Sequence, residues 1–264
     1  MQSLPHTEAL PLHYIQTGER GDWVVLLHGL FGSGDNLGSV ARFLAADFRV
    51  VQVDLRNHGR SPHSATMTMA AMAADVALLQ DRLGIDSSHV VGHSLGGKVA
   101  MQLALTDSSR VQRLVAADIA PVAYTPHHQA VFAALQSLDI ANLRSRQQAD
   151  QLLAPLIADS PTRLFLLKSL NKEASGFRWR FHWQALRDNY PHLLAAMSGE
   201  PFAGPTLFIK GELSDYIKPD YEPIMRELFP HFELRTIAGT GHWLHGEKPA
   251  EFNALVKGFL AGAG

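Results

Sequence analysis

The sequence predicts an α/β fold, a mostly parallel central sheet flanked by helices, with a helical segment inserted into it. Three observations carry this. Short runs rich in β-branched residues each close on turn residues, as buried parallel strands do. Segments with apolar residues at three- and four-residue spacing lie between them. The alternation then stops for about eighty residues and resumes.

The first strand is Trp23–Leu27, an unbroken apolar run that ends at His28-Gly29. Arg49–Val53 is the second and ends at Asp54. Residues 88–91 form the third, 113–117 the fourth, 205–209 the fifth and 232–237 the sixth. Met69, Met72, Ala73, Val76, Leu79 and Leu83 make one apolar helix face, with Gly84 as its stop. Residues 97–106 and 251–260 give two more helices. Between Pro121 and Pro201 the patterns are helical only, at 129–138, 146–157 and 163–170, with aromatic weight from Trp179, Phe181, Trp183 and Tyr190. We therefore expect a core of residues 1–120 and 202–264 carrying a helical cap at 121–201.

Composition narrows the function classes. The 264 residues suit one large domain with an insertion. Lys+Arg number 23 and Asp+Glu 25, so the formal charge is −2, and no basic run marks a nucleic-acid or anionic-lipid partner. With no cysteine, disulfides, thiolate catalysis and cysteine zinc sites are excluded. No His/Asp/Glu spacing calls for a metal. The N-terminal stretch Met1-Gln2-Ser3-Leu4-Pro5-His6 lacks a secretory pattern, and no apolar run approaches the roughly 20 residues of a membrane span. A cytoplasmic protein, monomer or homodimer, with no membrane insertion is the expectation.

The chemistry centres on Gly92-His93-Ser94-Leu95-Gly96, which follows a strand and opens a helix. A strained turn there lifts the Ser94 hydroxyl above the sheet. Small residues at 92 and 96 let strand and helix close around it. The Leu95 N–H, at a helix start, can face a developing oxyanion. A second donor should come from His28-Gly29-Leu30-Phe31-Gly32-Ser33-Gly34, with the Leu30 N–H as our choice and Phe31 as a pocket wall. A serine hydroxyl needs a base. Among 14 histidines, His242 in Gly241-His242-Trp243 follows the last strand, as this chain order requires. His245 is its rival. His28, His58 and His93 sit in tight turns as structural residues, and His127-His128 belongs to the cap surface. Two carboxylates fit as orienting acid: Asp118 after the fourth strand and Asp215 after the fifth, both at carboxyl ends of strands.

Together the His28-Gly29-Leu30-Phe31-Gly32 loop, the turn from Asp54 to Ser61, the elbow and Gly241-His242-Trp243 resemble the α/β-hydrolase superfamily over nearly the whole chain. More narrowly, Asp118-Ile119-Ala120-Pro121 and the run from Gly241 to Pro249 are similar to the small bacterial YbfF-type esterases. The resemblance bears on the acid. In many superfamily members the acid is the third residue after a glycine ending the penultimate strand. Here that place holds Ser214, and Asp215 is one residue late. In the YbfF-like esterases the Asp of Asp-Ile-Ala-Pro takes the role, which implies Asp118.

The expected reaction is acyl transfer to water from short- to medium-chain esters, with acyl thioesters as a second class, through an acyl-enzyme on Ser94 and without a cofactor. Phe31, Tyr124, Trp179, Phe181 and Trp183 are candidates for an apolar pocket, or for the cap's own core. The alternative on the same fold is a carbon–carbon bond hydrolase or lyase, whose carboxylate substrates would need arginines such as Arg56, Arg178 or Arg180. A non-catalytic binding member is a third reading; it normally goes with a broken triad.

Overall fold

A computed structural model describes residues 8–174 and 176–262. The stretch Met1–His6 lies outside them. The chain runs β1 (Tyr14–Thr17), β2 (Trp23–Leu27), α1 (Gly38–Leu44), β3 (Arg49–Val53), α2 (Met69–Leu83), β4 (Ser88–His93), α3 (Leu95–Thr106) and β5 (Val111–Ala117). Then follow α4 (Gln129–Ser137), α5 (Arg146–Leu153), α6 (Ser160–Lys168), β6 (Leu170–Glu173), β7 (Gly176–Trp179), α7 (Trp183–Asp188) and α8 (Tyr190–Leu194). The sheet resumes with β8 (Thr206–Gly211), α9 (Glu222–Leu228), β9 (Phe232–Ile237), α10 (Leu244–Glu247) and α11 (Pro249–Leu260).

Seven strands form the main sheet in the order β1-β3-β2-β4-β5-β8-β9, with every pair parallel except β1 against β3. Chain order and spatial order part at β2: β3 lies on one side and β4 on the other. That reversal places the carboxyl ends of β2 and β4 at a crevice, where ligands bind in open α/β sheets. Val24, Val25, Leu26 and Leu27 are all buried, because helices cover both faces of β2. One core gathers α2 and α3 against the sheet, and a second packs α1 and α11 on the opposite face.

The six expected strands are present: three keep the expected limits, those expected at 88–91 and 113–117 run two residues further at one end, and that expected at 205–209 is shifted to Thr206–Gly211. The seventh, β1, has the pattern exposed-exposed-exposed-intermediate, so it carries no hydrophobic signal of its own. Gly84 ends α2 in the left-handed region, at φ 65°. The insertion between β5 and β8 is not purely helical, as the sequence suggested. β6 and β7 form an antiparallel hairpin that pairs Leu170 with Trp179. Its residues Asn171, Lys172, Glu173 and Arg178 are mainly polar, so no strand-like apolar run exists to read. No helix among the described residues is long and apolar enough to cross a membrane.

Arg56 is buried in the turn after β3, its side chain 1% exposed. Its guanidinium donates to both Asp75 oxygens at 2.6 Å and to the Thr66 carbonyl at 2.8 Å. The fork geometry of the pair saturates the carboxylate. Arg56 is thereby a structural link from the turn after β3 to α2.

Candidate active site

Ser94 stands between β4 and α3 at φ 52° and ψ −117°, a conformation that L-residues avoid. Close packing holds it there. A Cβ on Gly92 would lie 2.2 Å from the Gly96 carbonyl oxygen, and one on Gly96 would lie 2.2 Å from that of Leu27. Only glycines permit this approach of strand, turn and helix. The Ser94 N–H donates to the Ala117 carbonyl at 3.0 Å, which ties the turn to the end of β5.

The hydroxyl of Ser94 is 3.0 Å from His242 Nε2, and His242 Nδ1 is 2.7 Å from Asp118 Oδ2. Asp118 follows β5 at φ 50° and is fully buried. Its carboxylate accepts from the Gly211 N–H at 3.1 Å and from the Ser214 hydroxyl. Ser214, the third residue after Gly211, thus donates to an acid one strand over. Asp215 is exposed, and no hydrogen bond or ion pair of its side chain occurs among the described residues. The geometry brings Asp118 to the histidine and leaves Asp215 at the surface.

The His242 loop is held on several sides. Glu247 accepts from the N–H groups of Gly241 (2.9 Å) and Trp243 (3.2 Å), on either side of the histidine. His93 Nε2 donates to the His242 carbonyl at 2.8 Å. The Tyr216 ring stacks on the imidazole, with centroids 4.0 Å apart and planes 18° apart. His245, the rival base, is buried against His93 at 4.4 Å, and burial pushes its pKa down to about 4. It makes no hydrogen bond to Ser94 among the described residues.

The loop after β2 is fixed by two neutral imidazoles. His28 Nδ1 donates to the Gly29 carbonyl at 2.8 Å, while its Nε2 accepts the Leu55 N–H at 3.0 Å. His58 Nδ1 donates to the Arg56 carbonyl at 2.9 Å, while its Nε2 accepts the Phe31 N–H at 3.2 Å. Each ring needs one bare nitrogen, so each must stay unprotonated. Burial supports this and pushes His58 down to about 3. Phe31 adopts φ 64°, and its carbonyl accepts from Ser169 Oγ at 3.0 Å. Among the described residues, the N–H groups of Leu30 and Leu95 find no acceptor within the protein.

A pH dependence of stability follows. In the unfolded chain each histidine titrates near 6.5. In the folded chain His58 and His245 stay neutral to about 3 and about 4, and burial also holds His93 well below its ordinary value. Between these limits the unfolded state binds more protons, so stability falls as pH drops from about 6.5 towards 4. Each such proton contributes a slope of about 1.4 kcal/mol per pH unit. Thermal unfolding followed from pH 7.5 to 4.5 should show a steadily falling midpoint below pH 6.5. A flat profile would contradict the neutral-histidine arrangement.

A cavity of about 390 Å³ opens beside Ser94, lined by Leu30, Phe31, Val131, Leu156, Ile157, Phe165, Leu166, Tyr216, His242 and Trp243 among others. His127 and His128 also line it; His127 is exposed, as the sequence suggested, while His128 is partly buried. Of the expected wall residues, Phe31 lines this cavity and Tyr124 lines a smaller one next to it. Trp183 lines neither; the Arg187 guanidinium covers its ring at 5.3 Å. Trp179 and Phe181 stack on each other at 5.1 Å in the interior. Phe165, Tyr216 and Trp243 were not singled out by sequence. Only Trp243 carried a signal, through its place beside His242. No group of three or more potential metal ligands occurs among the described residues.

Residues 22–249 match the alpha/beta hydrolase fold family. The chain is 40% identical to Esterase YbfF of Escherichia coli, over 90% of this chain and 92% of that protein. It is 39% identical to the mouse sn-1-specific diacylglycerol lipase ABHD11, over 90% of this chain and 80% of that protein. Among solved structures, a marine microorganism esterase superposes with a TM-score of 0.93 at 37% identity, covering 96% of this chain and 100% of that one. The parallel sheet, the strained serine turn between β4 and α3, and the match over residues 22–249 agree: the chain belongs to the alpha/beta hydrolase fold family.

Proposed function

We propose that the chain is a carboxylic-ester hydrolase that cleaves short- to medium-chain acyl esters through an acyl-enzyme on Ser94, with acyl thioesters as a second substrate class. The observation that carries this reading is the hydrogen-bonded run from Ser94 through His242 to Asp118 at the floor of an apolar cavity. His242 takes the Ser94 proton as the hydroxyl attacks the ester carbonyl, and Asp118 stabilises the imidazolium. The N–H groups of Leu30 and Leu95 hold the oxyanion, each worth about 10²–10³ in rate. His242 then protonates the leaving alcohol or thiol, and a water activated by the same histidine releases the acid. No step draws on a cofactor. Residues 121–201 act as a cap, since Val131, Leu156, Ile157 and Phe165 supply the apolar wall above the serine. The partner is a small-molecule acyl ester.

Carbon–carbon cleavage fits less well. Arg56 is committed to Asp75, Arg180 pairs with Asp35 at 2.9 Å and Arg178 with Glu173 at 2.8 Å. None of the three lines the cavity beside Ser94. A non-catalytic member would not need the neutral histidines that hold the Phe31 loop beside Ser94. A fluorophosphonate probe tests the reading directly. It should label Ser94, and peptide mapping should find no label elsewhere. A folded protein that takes no label, and turns over no nitrophenyl ester, would overturn it.

A further inference from the structure

Ser94 borders two cavities, not one. The wide cavity includes His242, Trp243 and Phe165. The second, of about 40 Å³, shares Leu30, His127, His128 and Tyr216 with the first and adds walls from Leu95, Lys98, Ile119, Tyr124, Leu193 and Leu194. His242 borders only the wide one. This asymmetry fixes the direction of a bound ester. The leaving atom must receive its proton from His242 Nε2, so the alcohol portion lies on the histidine's side. The acyl portion then runs the other way, past the Leu95 N–H.

The narrow cavity also has stiff walls. Lys98 sits one turn after Ser94 on α3 and is 2% exposed. Its ammonium pairs with no carboxylate among the described residues; it donates to the carbonyls of Val122 (3.3 Å), Leu193 (3.2 Å) and Ala195 (2.5 Å). These carbonyls lie where the inserted segment leaves the sheet and where it returns. The two chain passages also bond to each other, Tyr124 N–H to the Leu194 carbonyl at 2.9 Å and Met197 N–H to the Pro121 carbonyl at 3.1 Å. The Tyr124 hydroxyl accepts from the Ala120 N–H and donates to the Tyr216 carbonyl, at 2.8 and 2.7 Å. Moving any wall means breaking hydrogen bonds to buried groups.

We infer that the narrow cavity is the acyl site and selects the short acyl chains of the proposed range, while the wide cavity accepts a large apolar alcohol. The restriction follows from space: the narrow cavity has about 40 Å³ against about 390 Å³ for the wide one. The inference rests on the ester-hydrolase reading and adds the orientation and size class of the substrate.

Two substrate series test it. Along nitrophenyl acetate, propionate, butyrate, hexanoate and octanoate, kcat/KM should fall on the order of tenfold or more between butyrate and hexanoate. Along acetates of ethanol, hexanol and naphthol it should hold level or rise. Leu193→Ala enlarges the narrow cavity and should raise the hexanoate-to-acetate ratio at least tenfold; Leu194→Ala, at a less buried position, gives the same test if the first variant folds poorly. Phe165→Ala should lower turnover of naphthyl acetate and leave the acyl ratio within about twofold. A level acyl series in the wild type, or an acyl ratio moved by Phe165→Ala and not by the leucine variants, would overturn the assignment. Failure of the underlying reading looks different: no ester is hydrolysed, or Ser94→Ala retains activity.

Discussion

Replacing Ser94 with alanine should lower kcat on nitrophenyl acetate by on the order of 10⁶, with little change in KM or thermal midpoint. The proposed mechanism places the covalent bond on this one oxygen, and the groups around it act as a unit. Loss of the nucleophile therefore costs about as much as loss of the whole set. The residual rate is what binding and the two N–H donors supply to attack by water. The fold should not suffer. Ser94 makes its structural bonds through the backbone, from its N–H to Ala117 and from the Lys98 N–H to its carbonyl. Strain at φ 52° remains in the variant, because alanine has the same Cβ. A Ser94→Ala protein that keeps more than about a hundredth of the wild-type kcat, free of contaminating esterase, would remove Ser94 from the mechanism.

Asp118→Asn should lower kcat by about 10⁴, while Asp215→Asn stays within about twofold of wild type. The amide is nearly the same size as the carboxylate, so the Gly211 contact can persist. What changes is the partner of His242 Nδ1, now 2.7 Å from a carboxylate oxygen. An amide nitrogen turned toward the ring favours the wrong tautomer, which puts the proton on Nε2 and leaves no lone pair for Ser94. The imidazolium also loses its countercharge in a buried site, where charge interactions are strong. Asp215 is exposed and should tolerate the change. Steady-state kinetics of the two variants decide the matter. Comparable loss in Asp215→Asn, or near-normal rates in Asp118→Asn, would reverse the roles given to the two carboxylates.

Much of the fold was legible because buried parallel strands advertise themselves. Trp23–Leu27, Arg49–Val53 and Phe232–Ile237 have the same limits in sequence pattern and structure. Most elements that escaped lack an apolar period; α1, with Val40, Ala41 and Leu44 buried, has one but is only seven residues long. β1 is an exposed edge strand, and the β6–β7 hairpin is mostly polar. Both exist through pairing with a partner strand, which no local window contains. The short α9, with Met225 and Leu228 as its only buried side chains, escaped for a similar reason.

The site divides in the same way. Sequence alone determined the strained serine turn, since glycines at 92 and 96 around Ser94 admit few other shapes between a strand and a helix. It also determined the order of the parts, with a histidine after the last strand and a glycine loop after the first long one. Chain order could not separate Asp118 from Asp215, because both follow strands of the same sheet and both precede His242. Only the tertiary structure decided which carboxylate meets the imidazole. β5 lies beside β4 and ends level with Ser94, while the loop after β8 turns Ser214 inward and Asp215 outward. The cavity walls were likewise out of reach of sequence. Phe165, Tyr216 and Trp243 come from three separate stretches of chain, and Trp183 shows an aromatic character no different from theirs. Which aromatic faces a ligand and which faces a neighbouring helix is set by packing between elements, a property of distances that no spacing along the chain records.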